Sequence, residues 1–179
     1  MPHTPLLLDA CVAINLAATG HIQPIAEAID VTFILLRQAA AEVGHLRDIT
    51  DGEPIRTPID LSQHTSETLE ITDLTPPEYP LYLDLARAMD DGEAATIAVA
   101  AHRKLQLATD DRKARRLCAE RHIPEPLRTL AIVHAYTDAA GFRHSQLREL
   151  LIKIRDRASF QPPRGDPDHK WWDDHIDNP

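Results

Sequence analysis

The chain has 179 residues, enough for one compact domain, and with 43% apolar but only 4% aromatic residues any core must be aliphatic. A formal net charge of −9 argues against a protein that grips nucleic acid mainly by coating phosphates with basic side chains, yet leaves room for an enzyme whose carboxylates gather metal. Cys11 and Cys118 make neither a disulfide framework nor a zinc spacing, no run approaches the roughly 18 apolar residues of a membrane span, and Met1-Pro2-His3-Thr4 lacks a basic leader, so a cytoplasmic protein is expected.

Leu6-Leu7-Leu8 is a short apolar run ending at Asp9 and predicts a buried strand. Ala10 to Ala18 predicts a helix stopped by Gly20, and Ile22 to Ile29 a second helix. Val31 to Leu35, β-branched and aromatic, predicts a second buried strand. The alanine-rich run from Arg37 to Leu46 predicts a helix carrying Glu42. Asp51 to Asp60 holds Gly52, Pro54 and Pro58 and reads as a loop with an edge strand around Ile55, while Leu69 to Leu74 alternates like a half-exposed strand. Pro76-Pro77 opens a helix ending near Met89, Asp90 to Glu93 reads as a turn, and Ala94 to His102 as an apolar helix. Leu105 to Thr109 predicts a central strand stopping at Asp110-Asp111. Helices are expected over Arg112 to Arg121, Thr129 to Tyr136 and His144 to Ala158. Strands alternating with helices imply a parallel sheet with right-handed crossovers, that is, an α/β fold.

In such a sheet ligands bind outside the carboxyl ends of the strands. Asp9 follows one strand, Asp110 and Asp111 follow another, Glu93 begins the helix leading into that second strand, and Glu42 lies on an alanine-rich helix face. Gathering carboxylates is costly: two like charges about 4 Å apart repel by about 4 kcal/mol at an effective dielectric of 20. A hard cation, Mg2+ or Mn2+, removes that conflict, activates water and stabilises a leaving oxygen at phosphorus. Each acid also has a plainer explanation. Asp9 or Asp111 can cap the following helix, and Glu42 can sit on a solvated face. Histidine spacings fit no zinc motif, and neither a phosphate loop nor a nucleophile elbow occurs.

Leu6-Leu7-Leu8-Asp9-Ala10-Cys11-Val12-Ala13-Ile14-Asn15-Leu16 resembles the first motif of PIN domains, a hydrophobic strand, an Asp, then a helix. Glu42 stands where that family places its second acid. Gly92-Glu93-Ala94 resembles the third motif in the branch that writes it Gly-Glu-Ala, and Leu107-Ala108-Thr109-Asp110-Asp111 is similar to the fourth, a strand followed by Thr-x-Asp. Arg128-Thr129-Leu130-Ala131-Ile132-Val133 resembles the helix that follows. The likeness implies a three-layer α/β/α PIN-like domain over residues 1–160 with a central, mainly parallel sheet. It implies a metal-dependent ribonuclease like the VapC toxins, with an RNA substrate, an antitoxin partner and a homodimeric assembly. Catalytic metal ligands are then implied at Asp9, Glu42, Glu93 and Asp111, with Asp110 able to take or share the last role. Thr109, Arg112 and Lys113 are the expected substrate-side residues, Arg and Lys suiting phosphate. Cys11 stands where many relatives carry Ser. A structure-specific DNA nuclease and a non-catalytic PIN module that binds RNA or protein remain alternatives.

After Phe160 the composition changes. Residues 161–179 hold four prolines, five aspartates and both tryptophans. They read as an appended acidic tail that does not form another helix, with Trp171 and Trp172 docked on a surface and the aspartates near the basic residues at Arg112 or along Arg143 to Arg157.

Overall fold

The computed structural model describes residues 3–63 and 68–177. The first two residues of the expected domain and the last two of the expected tail therefore lie outside the described residues. Four parallel strands form the central sheet: β1 (Thr4–Leu8), β2 (Val31–Leu36), β5 (Leu69–Thr72) and β6 (Gln106–Ala108), in the order β5-β2-β1-β6. Strand side chains alternate between faces, so Leu6 and Leu8 enter one apolar layer while Leu7 enters the other. The first layer is closed by α1 (Ala10–Thr19), α2 (Ile22–Ala28), α7 (Thr129–Ala139), α8 (His144–Ala158) and α9 (His169–Asp177). The second is closed by α4 (Tyr79–Leu85), α5 (Asp91–Arg103) and α6 (Arg112–Glu120). This is a three-layer α/β/α sandwich. Alanines 94, 95, 98 and 100 are all fully buried, so α5 lies close on the sheet.

Local chemistry explains most boundaries. Gly20 ends α1 with φ 75°, a left-handed conformation that glycine adopts without a Cβ clash. Asp9 begins α1 by accepting from the Ala10 N–H. Lys104 turns the chain out of α5 and into β6 at φ 54°.

Several expectations need correction. The helix expected over Arg37 to Leu46 is only α3 (Arg37–Glu42), because the chain becomes extended at Val43. It continues as a separate antiparallel ribbon of β3 (His45–Thr50) and β4 (Glu53–Pro58). Their two-residue connection, Asp51-Gly52, has positive φ at both positions, 54° and 83°, the geometry that matches strand twist in tight hairpins. The helix expected from Pro76 to Met89 is a 3-10 turn, Pro76–Glu78, followed by the shorter α4. Asp91 to Glu93 form the first turn of α5 rather than a preceding turn. β6 is not central but lies at the end of the sheet, extended only by an isolated parallel bridge from Ala108 to Leu127.

The C-terminal segment does form a helix. Three of its four prolines precede α9, and within α9 His169–Asp173 and Lys170–Asp174 are spaced i,i+4. Trp172 is 1% exposed and meets Phe160 edge-to-face, so the tryptophan docks on its own chain. Asp166 and Asp168 pair with Arg128, not with the basic stretches expected.

Candidate metal and phosphate site

The C-terminal edge of the sheet brings the first and fourth motifs together through hydrogen bonds. Asp9 is 5% exposed. Its Oδ1 accepts from Ala10 N at 2.7 Å, and its Oδ2 accepts from the Thr109 hydroxyl at 2.9 Å and from the Cys11 thiol at 3.1 Å. The Thr109 Oγ1 accepts in turn from the Asp111 N–H at 3.1 Å. Thr109 thus sets both the Asp9 carboxylate and the backbone that carries Asp111. The Asp111 side chain caps α6, its Oδ1 accepting from Ala114 N at 2.7 Å. Cys11 supplies a donor where a serine hydroxyl would otherwise do so, and burial pushes its thiol well above the ordinary range, with the Asp9 charge adding to the effect.

The second and third motifs meet at the start of α5. Gly92 N–H donates to Glu42 Oε1 at 2.8 Å. A Cβ at position 92 would lie 2.5 Å from that oxygen and 2.8 Å from the carboxyl carbon. Glycine is therefore what admits the Glu42 carboxylate onto the first turn of α5, where free N–H groups favour an anion. Burial raises the Glu42 carboxyl above its usual range, the Gly92 bond opposes this, and Asp9, Asp90 and Asp91 push it further up. Glu93 is raised to about 7, first by burial and then by Asp111, Asp9 and Asp90, with Lys113 pressing the other way.

Asp110 has a different setting. Its oxygens accept from Thr129 N at 3.0 Å, the Thr129 hydroxyl at 2.6 Å and Asn15 Nδ2 at 3.1 Å. Burial raises its carboxyl against these bonds. It ties β6 to α7 and α1, whereas Asp111 is the first charge pressing on Glu93. Arg112 is exposed beside Asp111 and makes no ion pair among the described residues, while Lys113 Nζ donates to the Ala88 carbonyl. Asp90 acts on both Glu42 and Glu93, a role that its place in the turn-like run Asp90-Asp91-Gly92 does not signal in the sequence. Asn15 and Thr129, the partners of Asp110, carry no sequence signal of that role.

Compared with models of protein families, residues 6–163 match the family described as PIN domain. The chain belongs to the PIN-domain family. No curated protein and no solved structure matches it. PIN domains are generally nucleases that use divalent metal ions. Among the described residues, no group of three or more His, Cys, Asp or Glu stands ready to hold a metal ion. The donor set of this PIN domain nonetheless suits a hard cation. It is built of carboxylate oxygens, and burial together with like charges there raises Glu93 to about 7. No helix among the described residues is long and apolar enough to cross a membrane.

Proposed function

We propose that this PIN domain is a metal-dependent endoribonuclease in which Asp9, Glu42, Glu93 and Asp111 hold Mg2+ or Mn2+. The observation that carries this reading is the meeting of acids from separate elements at one sheet edge: Thr109 joins the Asp9 carboxylate to the backbone of Asp111, and Glu42 is seated on Gly92 beside Glu93. A divalent cation bound there would stabilise charge on the phosphate and on the leaving oxygen. The protein's own side chains do the rest. Thr109 fixes the Asp9 carboxylate, the start of α5 seats Glu42, and Arg112 offers an exposed guanidinium to a phosphate next to Asp111. Asp110 serves by holding the strand end in place rather than by facing the cation. The motif resemblance to VapC toxins supports a toxin role with an antitoxin partner and a homodimeric assembly, which co-expression with neighbouring genes and light scattering would test.

Purified protein and a panel of structured RNAs provide the test. Cleavage should stop in EDTA and return with Mg2+ or Mn2+, and Asp9→Asn should abolish it while keeping the cap on α1, since Asn caps as well as Asp. Asp111→Asn should cost far more activity than stability. Asp110→Asn should instead lose about 1–3 kcal/mol of stability through its buried hydrogen bonds. Full activity in excess EDTA, or an unchanged rate in Asp9→Asn, would sink the reading.

A further inference from the structure

The β3–β4 ribbon stands outside the central sheet, and its two faces differ. In its register Leu46 faces Thr57, Asp48 faces Ile55 and Thr50 faces Glu53. Strand alternation puts these on one face, which rests toward α8: Leu46 is buried and Asp48 pairs with Arg157 at 2.7 Å. The opposite face carries His45, Arg47, Ile49, Pro54, Arg56 and Pro58, all exposed. Arg47 and Arg56 are direct cross-strand partners, and neither makes an ion pair among the described residues. Like charges placed directly opposite destabilise a ribbon, so packing and stability do not account for this pair. Ile49 is 77% exposed beside Pro54, one step further along the same face.

We propose that this face is a rail for the backbone of single-stranded RNA, with the two guanidinium groups on successive phosphates and the Ile49–Pro54 step under a base. Three observations select this occupant. The only fixed charges on this face are the two arginines, with the tip acid Glu53 on the opposite side of the ribbon. The outer strand β4 carries two prolines, which lack the N–H that a pairing strand would need, so strand addition by a second copy is blocked at those positions. The ribbon also begins three residues after Glu42, so Arg47 lies at most about 18 Å along the chain from that acid. A strand held on the rail would therefore pass within about 18 Å of Glu42. The proposal rests on the nuclease reading only for the identity of the polymer.

The test is fluorescence anisotropy of a labelled single-stranded RNA oligonucleotide with the full chain in EDTA, where binding is read without cleavage. Each phosphate contact on a single strand contributes about 0.7 to the slope of log affinity against log salt. The R47T/R56T double variant should therefore lower that slope by about 1.4, so that from about 50 to about 200 mM salt the wild type loses about seven-fold more affinity than the variant. Its Tm should be unchanged or higher, because a charge clash is gone and threonine suits a strand. Equal slopes would overturn the rail, as would failure of the wild type to bind RNA, or a change in molar mass by light scattering with no change in slope, which would make the face a contact between copies. Equal slopes with cleavage intact leave the nuclease reading standing. A reduced slope in a chain that cleaves nothing leaves the rail standing and removes the nuclease.

Discussion

At the C-terminal end of α5, Arg103 meets Glu78, which is 1% exposed, with Nε–Oε1 at 2.6 Å and a second bond to Oε2 at 3.0 Å. Thr75 N–H adds a bond at 2.7 Å. Burial alone would raise this carboxyl, but Arg103 and Thr75 outweigh it and hold it at about 2. At the N-terminal end, Glu93 meets mainly other acids and is raised to about 7. Desolvation pushes both carboxyls upward, so it does not set the direction of the shift; the sign of the neighbours does. A charge whose partners come from the chain serves the fold. One left among like charges marks the place where a ligand must supply the balance.

The largest expected effect comes from breaking the satisfied end. Arg103→Ala leaves Glu78 charged and buried without its partner, and should cost about 3–5 kcal/mol, a Tm drop on the order of 10 °C. Thermal denaturation checks it, and an unchanged Tm would erase the contrast between the two ends.

A pH series on metal-free protein sharpens the comparison. Glu78, depressed in the fold, contributes stability above about pH 4.5 that is lost as the pH falls toward about 2. Glu93 works in the opposite sense. Between about pH 4.5 and about 7 it is ionised when unfolded but protonated when folded, so stability declines as pH rises through that window and stays lower above it. Glu93→Gln should flatten this decline and raise stability at pH 8 by at most about 3 kcal/mol. Saturating Mg2+ should raise the wild-type Tm and have little effect on Glu93→Gln. A decline that persists in the variant would mean that Glu93 is not its source.

Gly92→Ala is the mildest change. The new methyl group would meet the mobile end of Glu42, which can swing aside, and alanine favours a helix, so Tm should hold or rise. Glu42 would lose its seat, and cleavage should fall about 10–100-fold, as for other groups that orient metal ligands. An unchanged rate would show that the Glu42–Gly92 contact does not matter to the site.

The parts of the molecule legible in the sequence are those governed by local rules. The Leu6–Leu8 run, the Gly20 stop and the His144 to Ala158 helix all needed only apolar pattern and glycine conformation, and the strand-end position of Asp9 and Asp111 followed from topology. The β3–β4 hairpin has its signal in Asp51-Gly52, but Pro54 and Pro58 are also loop residues and mask the strand pattern. Other features depend on distant residues. α9 is held by Trp172 entering a core contributed by other helices, which no window around Pro167 can display. The division of labour between Asp110 and Asp111 depends on Thr129 and Asn15, 19 and 95 residues from Asp110. Asp90 joins the acid cluster only because α5 starts earlier than its apolar pattern does.

The chain's two tryptophans share one nine-residue helix. Trp172 is enclosed beside Phe160, and Trp171 lies against His134, with ring centroids 3.9 Å apart, and against His175. Intrinsic indole emission from this protein is therefore a gauge of α9 alone. A red shift at a denaturant concentration where far-ultraviolet ellipticity is still native would report this helix peeling away while the sandwich remains folded. Coincident transitions would show that the last helix melts as one unit with the rest.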